Sequence, residues 1–177
     1  AGWAASLWFE TTEDDAGQQV THRALAEGAS IVLASGGDGT LRAVAESLRG
    51  SGTPLAVIPQ GTGNLLARNL GVPLGDIEAA VHAAFFGHNR SIDLGVVTIT
   101  RPDESEDEHV FLVLAGMGLD ARTITATRSS LKKRLGWLAY VDAGMRTMIK
   151  DAPLQIHYSI NGEPVKPLTV FTVMTVS

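Results

Sequence analysis

Residues 31–40 read Ile-Val-Leu-Ala-Ser-Gly-Gly-Asp-Gly-Thr, and this stretch decides the fold. Four apolar residues lead into the glycine-rich segment 36–40, and from Leu41 to Leu48 apolar residues recur at helical spacing. Gly50 marks the predicted end of that helix. The order is a buried strand, a tight glycine turn and a helix. Glycines let backbone N–H groups approach a bulky anion, and a helix N-terminus adds partial positive charge, so the pattern indicates phosphate binding.

Asp38 gives this first glycine motif (residues 36–40) a reacting group. A carboxylate beside phosphates is unfavourable unless a metal ion or a transferred proton is involved. We therefore interpret the first glycine motif as a phosphate-binding site at which a reaction also takes place.

A second strand–glycine–helix unit follows. Residues 55–58 are apolar, Pro59 closes them, and Gln-Gly-Thr-Gly-Asn at 60–64 forms the second glycine motif. Asn64 is the predicted N-cap of the next helix and Gly71 its stop. The 24 residues from Asp38 to Thr62 suit one right-handed βαβ crossover. Both motifs are then expected at the carboxyl edge of one parallel sheet, where ligands bind.

Other phosphate-binding and metal-binding patterns are less favoured. The P-loop string G-x-x-x-x-G-K-[ST] is missing, and neither glycine motif contains a lysine. Residues 116–121, Gly-Met-Gly-Leu-Asp-Ala, match a dinucleotide fingerprint but stand in a region that reads as antiparallel strands. Five acids at 103–108 lack the glycine of a calcium loop, so we interpret them as a solvated hairpin tip.

The pattern of elements predicts an α/β fold with a parallel sheet, followed by a β-rich part. We expect an α/β nucleotide-binding domain at residues 1–90 and a partial β-rich domain, an antiparallel sandwich, at 91–177. Asn161-Gly162 predicts a type I′ turn between two strands. The helices and strands of the first domain are predicted at 7–9, 17–27, 31–34, 41–48, 55–58, 65–69 and 76–86.

Composition restricts the class of protein. The chain has 177 residues, 45% of them hydrophobic, no cysteine and a formal charge of −5, which argues against general nucleic-acid binding. It contains no apolar run near the roughly 20 residues that span a bilayer. Seven of its fourteen basic residues lie at 122–150, on an amphipathic helical pattern. We interpret that segment as a contact for phosphates or an anionic membrane, favouring Lys133 and Arg134, with a solvated helix face as the equal alternative.

The two glycine motifs together resemble the catalytic domain of the diacylglycerol kinase and sphingosine kinase family, in its bacterial lipid kinase form. The first motif is also shared with NAD kinases and is similar to one in phosphofructokinases. The second motif, with Leu-Leu-Ala-Arg-Asn-Leu-Gly at 65–71 behind it, favours the lipid kinases. Further similarity lies at 92–95, 116–121 and 132–137.

This resemblance implies site residues. ATP is expected between an α/β and a β-rich domain, with its phosphates against the first glycine motif. Asp38 would be the catalytic residue that orients Mg²⁺ or assists deprotonation of a lipid hydroxyl, and Asp120 would contact the substrate. The resemblance implies these nucleotide contacts: Thr12 (with Thr11 as the alternative), Gly36, Gly37, Asp38, Gly39, Thr40, Leu41, Thr62 and Asn64.

The implied activity is Mg²⁺-dependent transfer of the γ-phosphate of ATP to a lipid hydroxyl such as that of diacylglycerol. The implied location is the cytoplasm, with peripheral contact at the inner membrane face. Family members carry a further strand and helix before this region, and after it a catalytic carboxylate pair and the ligands of a structural metal. We therefore expect the chain to be incomplete at both ends. Two alternatives stay open: another ATP-dependent kinase with the first motif, such as an NAD kinase, and a nucleotide-binding remnant without activity.

Overall fold

A parallel pair of strands carries the two glycine motifs. The computed structural model describes residues 2–118, 153–170 and 172–176. In it β1 (Val32–Gly36) pairs in parallel with β2 (Leu55–Pro59), with Gly36 opposite Pro59. The N–H of Gln60 donates to the Gly36 carbonyl at 2.9 Å and extends the pairing by one bond. Both strands end at the same edge, so the two motifs lie side by side.

The helices predicted for residues 17–86 are confirmed, with small shifts at their ends. They are α1 (Gln18–Ala26), α2 (Asp38–Leu48), α3 (Leu65–Leu70) and α4 (Ile77–Phe86). Helix α2 begins at Asp38 rather than at Leu41, because Asp38, Gly39 and Thr40 already form its first turn. The glycine motif is thus the start of the helix as well as the turn before it.

The strand predicted at residues 7–9 is wrong. Residues 2–12 form neither helix nor strand, because they have no hydrogen-bonding strand beside them: β1 and β2 pair only with each other in the described part of the chain. Phe9 instead lies under the Arg23 guanidinium, 5.0 Å from the ring centre. A cation over an aromatic face replaces the expected strand pairing.

The core lies between α2, α3 and the parallel strands. Leu41 is fully buried at its centre. Helix α2 contributes the side chains that recur at its helical spacing, and α3 adds two residues to the same cluster. The buried cluster consists of Ala34, Leu41, Val44, Leu48, Val57, Leu66 and Ala67.

An antiparallel hairpin follows the parallel part. Its strands are β3 (Gly95–Thr100) and β4 (Glu106–Phe111). The predicted acidic hairpin tip is confirmed, since residues 101–106 are exposed and Arg101 forms an ion pair with Asp107. Arg49, at the end of α2, forms an ion pair with Glu108 of β4 at 2.6 Å.

The chain divides into two compact units, residues 1–113 and 114–177. In the second unit β5 (Leu114–Gly118) pairs antiparallel with β8 (Thr172–Val176), and β6 (Leu154–Tyr158) with β7 (Lys166–Val170). Asn161 and Gly162 have φ of 52° and 77°, and the Glu163 N–H donates to the Ile160 carbonyl at 3.0 Å. These are the features of the predicted type I′ turn.

The fold class, α/β with a parallel sheet followed by antiparallel strands, is confirmed. Over the described ranges, no helix has both the length and the apolar character that crossing a membrane requires.

Candidate functional site

The two glycine motifs pack backbone against backbone. A Cβ on Gly61 would lie 2.6 Å from the Gly37 Cα, and one on Gly37 would lie 3.3 Å from the Gly61 Cα. The first of these distances is far shorter than a carbon–carbon contact allows. Gly61 therefore needs to be glycine so that the motifs can meet, whether or not a ligand is present, whereas a Cβ at Gly37 would require only a small shift of the Gly61 backbone.

Asn64 closes the second glycine motif on itself. Its backbone is left-handed (φ 49°, ψ 46°), a conformation that asparagine tolerates better than most residues. Its Oδ1 accepts from the Gly61 N–H at 2.8 Å and its Nδ2 donates to the Gly61 carbonyl at 2.7 Å. Asn64 occupies the N-cap position of α3, but the predicted capping bond is wrong, because Gly61 already engages the side-chain oxygen.

Asp38 supplies the missing cap from the other motif. Its Oδ1 accepts from the N–H of Leu65, the first residue of α3, at 2.7 Å. A Cβ on Gly63 would lie 2.9 Å from Asp38 Oδ2, so a side chain there would displace the Asp38 carboxylate. The Asp38 carboxylate thus joins the start of α2 to the start of α3.

The N-termini of the four described helices differ in one respect. Asp15 accepts from N–H groups of the first turn of α1 at 3.0–3.1 Å, Asp76 caps α4 at 2.9 Å, and Asp38 caps α3. At the N-cap of α2 stands Gly37, with no side-chain capping bond. Among these helices only α2 has an N-terminus without a carboxylate cap.

The open end of α2 has both donors and space. The first helical bond runs from the Leu41 N–H to the Gly37 carbonyl at 3.0 Å, so the N–H groups of residues 38–40 have no partner within the helix. A Cβ on Gly39 would meet nothing within 4 Å. Unpaired N–H groups, the helix dipole and free space together allow an anion to bind here.

The other predicted contact residues differ in where they lie. Thr62 is exposed on the second glycine motif, and Thr12 is exposed with its Oγ1 accepting from the Asp15 N–H at 3.1 Å. The Leu41 side chain, by contrast, is in the core. Asp120 lies outside the described residues, as does the basic segment 122–150 with Lys133 and Arg134.

Two side chains with structural contacts were not predicted from the sequence. Arg68, in the last turn of α3, donates from Nε to the Gly63 carbonyl at 2.8 Å. Asp15 caps α1. Burial alone would raise the pKa of its carboxyl, but hydrogen bonds from the backbone N–H groups of Gln19, Gly17 and Val20 have the larger combined effect and lower that pKa. An aspartate two residues before Gly17, the residue that precedes α1, could have predicted the Asp15 cap. The sequence gives no comparable signal for Arg68.

Comparison with known proteins identifies the family. The profile of the diacylglycerol kinase catalytic domain matches residues 5–97. A candidate lipid kinase of the YegS-like type from Pseudomonas aeruginosa (strain UCBPP-PA14) is 40% identical over 138 residues, which cover 76% of this chain and 42% of that protein. A diacylglycerol kinase of Bacillus subtilis (strain 168) is 33% identical over 165 residues, covering 92% and 51%.

A solved structure has the same fold. The crystal structure of a candidate diacylglycerol kinase from Bacillus anthracis str. Sterne matches with a TM-score of 0.61 and 25% identity, over 89% of this chain and 51% of that one. The chain spans about half the length of these relatives. The profile match covers more than half of the 177 residues and includes both glycine motifs, so the chain belongs to the diacylglycerol kinase catalytic-domain family.

Proposed function

We propose that the full-length protein is an ATP-dependent lipid kinase that transfers the γ-phosphate of ATP to a lipid hydroxyl, such as that of diacylglycerol. One observation carries the proposal: the uncapped N-terminus of α2, with room at Gly39, lies in the glycine motif of a kinase family. The kinase names of the relatives support the reaction class.

The phosphates are proposed to lie against the start of α2. Their oxygens accept from the N–H groups of residues 38–40, and Gly39 lets them come close. Gly36 and Gly37 form the turn before it. The hydroxyls of Thr12, Thr40 and Thr62 are proposed as further donors to the nucleotide. We assign Leu41 and Asn64 to holding the motifs in place, because the Leu41 side chain is in the core and the Asn64 amide is bonded to Gly61.

Asp38 has a double role in this proposal. Its Oδ1 stays bonded to the Leu65 N–H, and its Oδ2 is left to orient a metal ion or to accept the proton of the attacking hydroxyl. Within the described residues, no group of three or more His, Asp or Glu side chains could hold a metal. This fits Mg²⁺, which is commonly held by substrate phosphates and one or two carboxylates and neutralises phosphate charge.

The remaining assignments concern the acceptor. We propose that Asp120 contacts the hydroxyl-bearing part of the lipid, and that the basic segment 122–150 meets an anionic membrane at the cytoplasmic face. The α/β nucleotide-binding domain is proposed to span residues 1–90 and the β-rich domain to begin at 91. Lipid headgroups lie at the membrane–water interface, so we propose that the protein contacts this interface peripherally to reach its substrate.

Phosphate transfer tests the proposal directly. The full-length protein is incubated with γ-³²P-ATP and Mg²⁺, with a lipid panel and with NAD as a soluble acceptor, alongside Asp38→Asn and a matched control, Arg42→Gln. Arg42 lies on α2 and pairs with Glu46 at 3.2 Å. We expect a labelled lipid that is lost in Asp38→Asn and kept in the control. Label on NAD would favour the NAD kinase alternative, and nucleotide binding without transfer would favour a remnant.

A further inference from the structure

Arg68 places a cation at the second glycine motif. Helical side chains point back toward the N-terminus of their helix, and the Arg68 side chain follows this rule along α3. Its Nε donates to the Gly63 carbonyl at 2.8 Å, and the residue is exposed. One guanidinium donor is therefore fixed by the motif, and the terminal N–H groups face solvent.

The stability of α3 does not explain this position. A cation stabilises the C-terminal end of a helix, where the carbonyls carry negative charge, and is disfavoured at the N-terminal end. Arg68 stands in the last turn of α3, yet its guanidinium reaches the residue before Asn64, on the N-terminal side. The side chain thus crosses from the favourable end of the helix to the unfavourable one.

Acidic side chains do not explain it either. Arg42 pairs with Glu46 at 3.2 Å and Arg49 with Glu108 at 2.6 Å, whereas Arg68 has no acidic group within 4.0 Å among the described residues. Gly63 accepts from the Arg68 Nε through its carbonyl, and a Cβ built on the same residue would lie 2.9 Å from Asp38 Oδ2, so both side chains approach Gly63 without forming an ion pair with each other. The guanidinium and the carboxylate each keep capacity for a further partner.

We propose that Arg68 binds the terminal phosphates of a nucleoside polyphosphate held at the start of α2. This inference rests on the proposed function and adds a binding residue to it. A guanidinium suits phosphate because its donors form parallel bonds to two oxygens, and the Gly63 carbonyl preorients it. Neither glycine motif contains a lysine, so Arg68 supplies the positive side chain that the phosphates and Asp38 require.

The test compares ligands that differ only in their number of phosphates. Affinities for adenosine, AMP, ADP and ATP are measured by calorimetry, without divalent metal, on full-length wild type, Arg68→Gln, Arg68→Lys and Arg42→Gln. Arg42→Gln removes the same charge from the neighbouring helix. We expect Arg68→Gln to weaken ATP roughly ten- to a hundredfold, the range for a hydrogen bond to a charged group, and to leave adenosine unchanged. Arg68→Lys should recover part of the loss, and Arg42→Gln should match wild type.

Other outcomes overturn the inference. An equal loss for adenosine and ATP would make Arg68 a residue that only holds the loop, and unchanged ATP affinity in Arg68→Gln would exclude it from the site. If wild type binds no nucleotide, the proposed function fails as well. Phenylglyoxal labelling of Arg68 in wild type, mapped by mass spectrometry, needs no variant to fold. ATP should protect Arg68 and adenosine should not; protection by both or by neither contradicts the inference.

Discussion

The two glycine motifs look alike in sequence but differ in what they leave open. In the second motif, Gly61 is required because a Cβ there would lie 2.6 Å from the Gly37 backbone, and a Cβ on Gly63 would displace the Asp38 carboxylate, whose Oδ2 it would meet at 2.9 Å. In the first motif, Gly39 faces open space. The N–H of Gly61 donates to Asn64 Oδ1, and the N–H of Leu65, just after the second motif, donates to Asp38 Oδ1. The N–H groups at the start of α2 have no such side-chain cap.

This difference separates two reasons for glycine in a binding motif. One is contact between protein segments, and the other is access for a ligand. In the proposed site the second motif is then a support that positions Thr62 and Arg68, and the first motif is the proposed binding surface. Gly61→Ala and Gly39→Ala make the same substitution in the second and in the first motif, and an equal response to both would contradict this difference.

Asp38, which links the first motif to the start of α3 behind the second, should show the largest effect. We expect Asp38→Ala and Asp38→Asn to slow phosphoryl transfer roughly 10²–10⁴-fold, the range for losing a side chain that transfers a proton in the transition state. Asn keeps an oxygen for the Leu65 N–H, so only Asp38→Ala should lose stability, by about 1 kcal/mol, as for a lost helix cap. Transfer rates and urea unfolding of full-length protein measure the two effects. Full activity in Asp38→Asn would mean that Asp38 acts only through its tie to α3.

Gly61→Ala should disrupt the support. Its Cβ would lie 2.6 Å from a backbone carbon of Gly37 and 2.8 Å from Asn64 Oδ1, so the backbone of the two motifs must separate. We expect a loss of about 1–3 kcal/mol in unfolding free energy, as for overpacked interiors, together with loss of ATP binding. Urea unfolding and calorimetry measure these quantities. A variant as stable as wild type would show that the motifs need not touch.

Gly39→Ala makes the same chemical change in the binding motif. Its Cβ meets no protein atom, and Gly39 is not in the left-handed region, so we expect unfolding free energy to stay equal or rise by up to about 1 kcal/mol. ATP affinity should fall roughly tenfold, since the methyl group fills the space proposed for a phosphate and an unmade charge-assisted bond costs about that much. Adenosine affinity serves as the internal control. Unchanged ATP affinity would place the ligand away from Gly39.

The sequence predicts repeating patterns well and contacts between distant residues poorly. Strand–glycine–helix order locates β1, α2, β2 and α3, because apolar spacing and glycine act over a few residues. The bond from Leu65 to Asp38 joins positions 27 apart, and the Arg68 contact depends on a rotamer. The strand expected at 7–9 fails for a similar reason, since a strand exists only where a neighbour pairs with it.

The smallest effect is expected at the closed N-terminus of α1, which contrasts with the open one of α2. Backbone donors lower the pKa of Asp15 below its ordinary value of about 4 despite burial, so its carboxylate stabilises the fold fully above that value. The contribution is lost as pH falls through the lowered pKa. The free energy of unfolding of Asp15→Asn, measured by urea titration, should therefore be lower than that of wild type at pH 7. The difference between the two should shrink toward pH 3.

Asp14→Asn is the matched control, because it removes the same charge from the adjacent exposed residue without removing the cap. A pH dependence identical in both variants would show that general charge, rather than the cap, is responsible. ATP affinity should be unchanged in Asp15→Asn at pH 7. A helix end already filled by its own carboxylate has no donors left for a phosphate, so only the open end of α2 should respond to nucleotide.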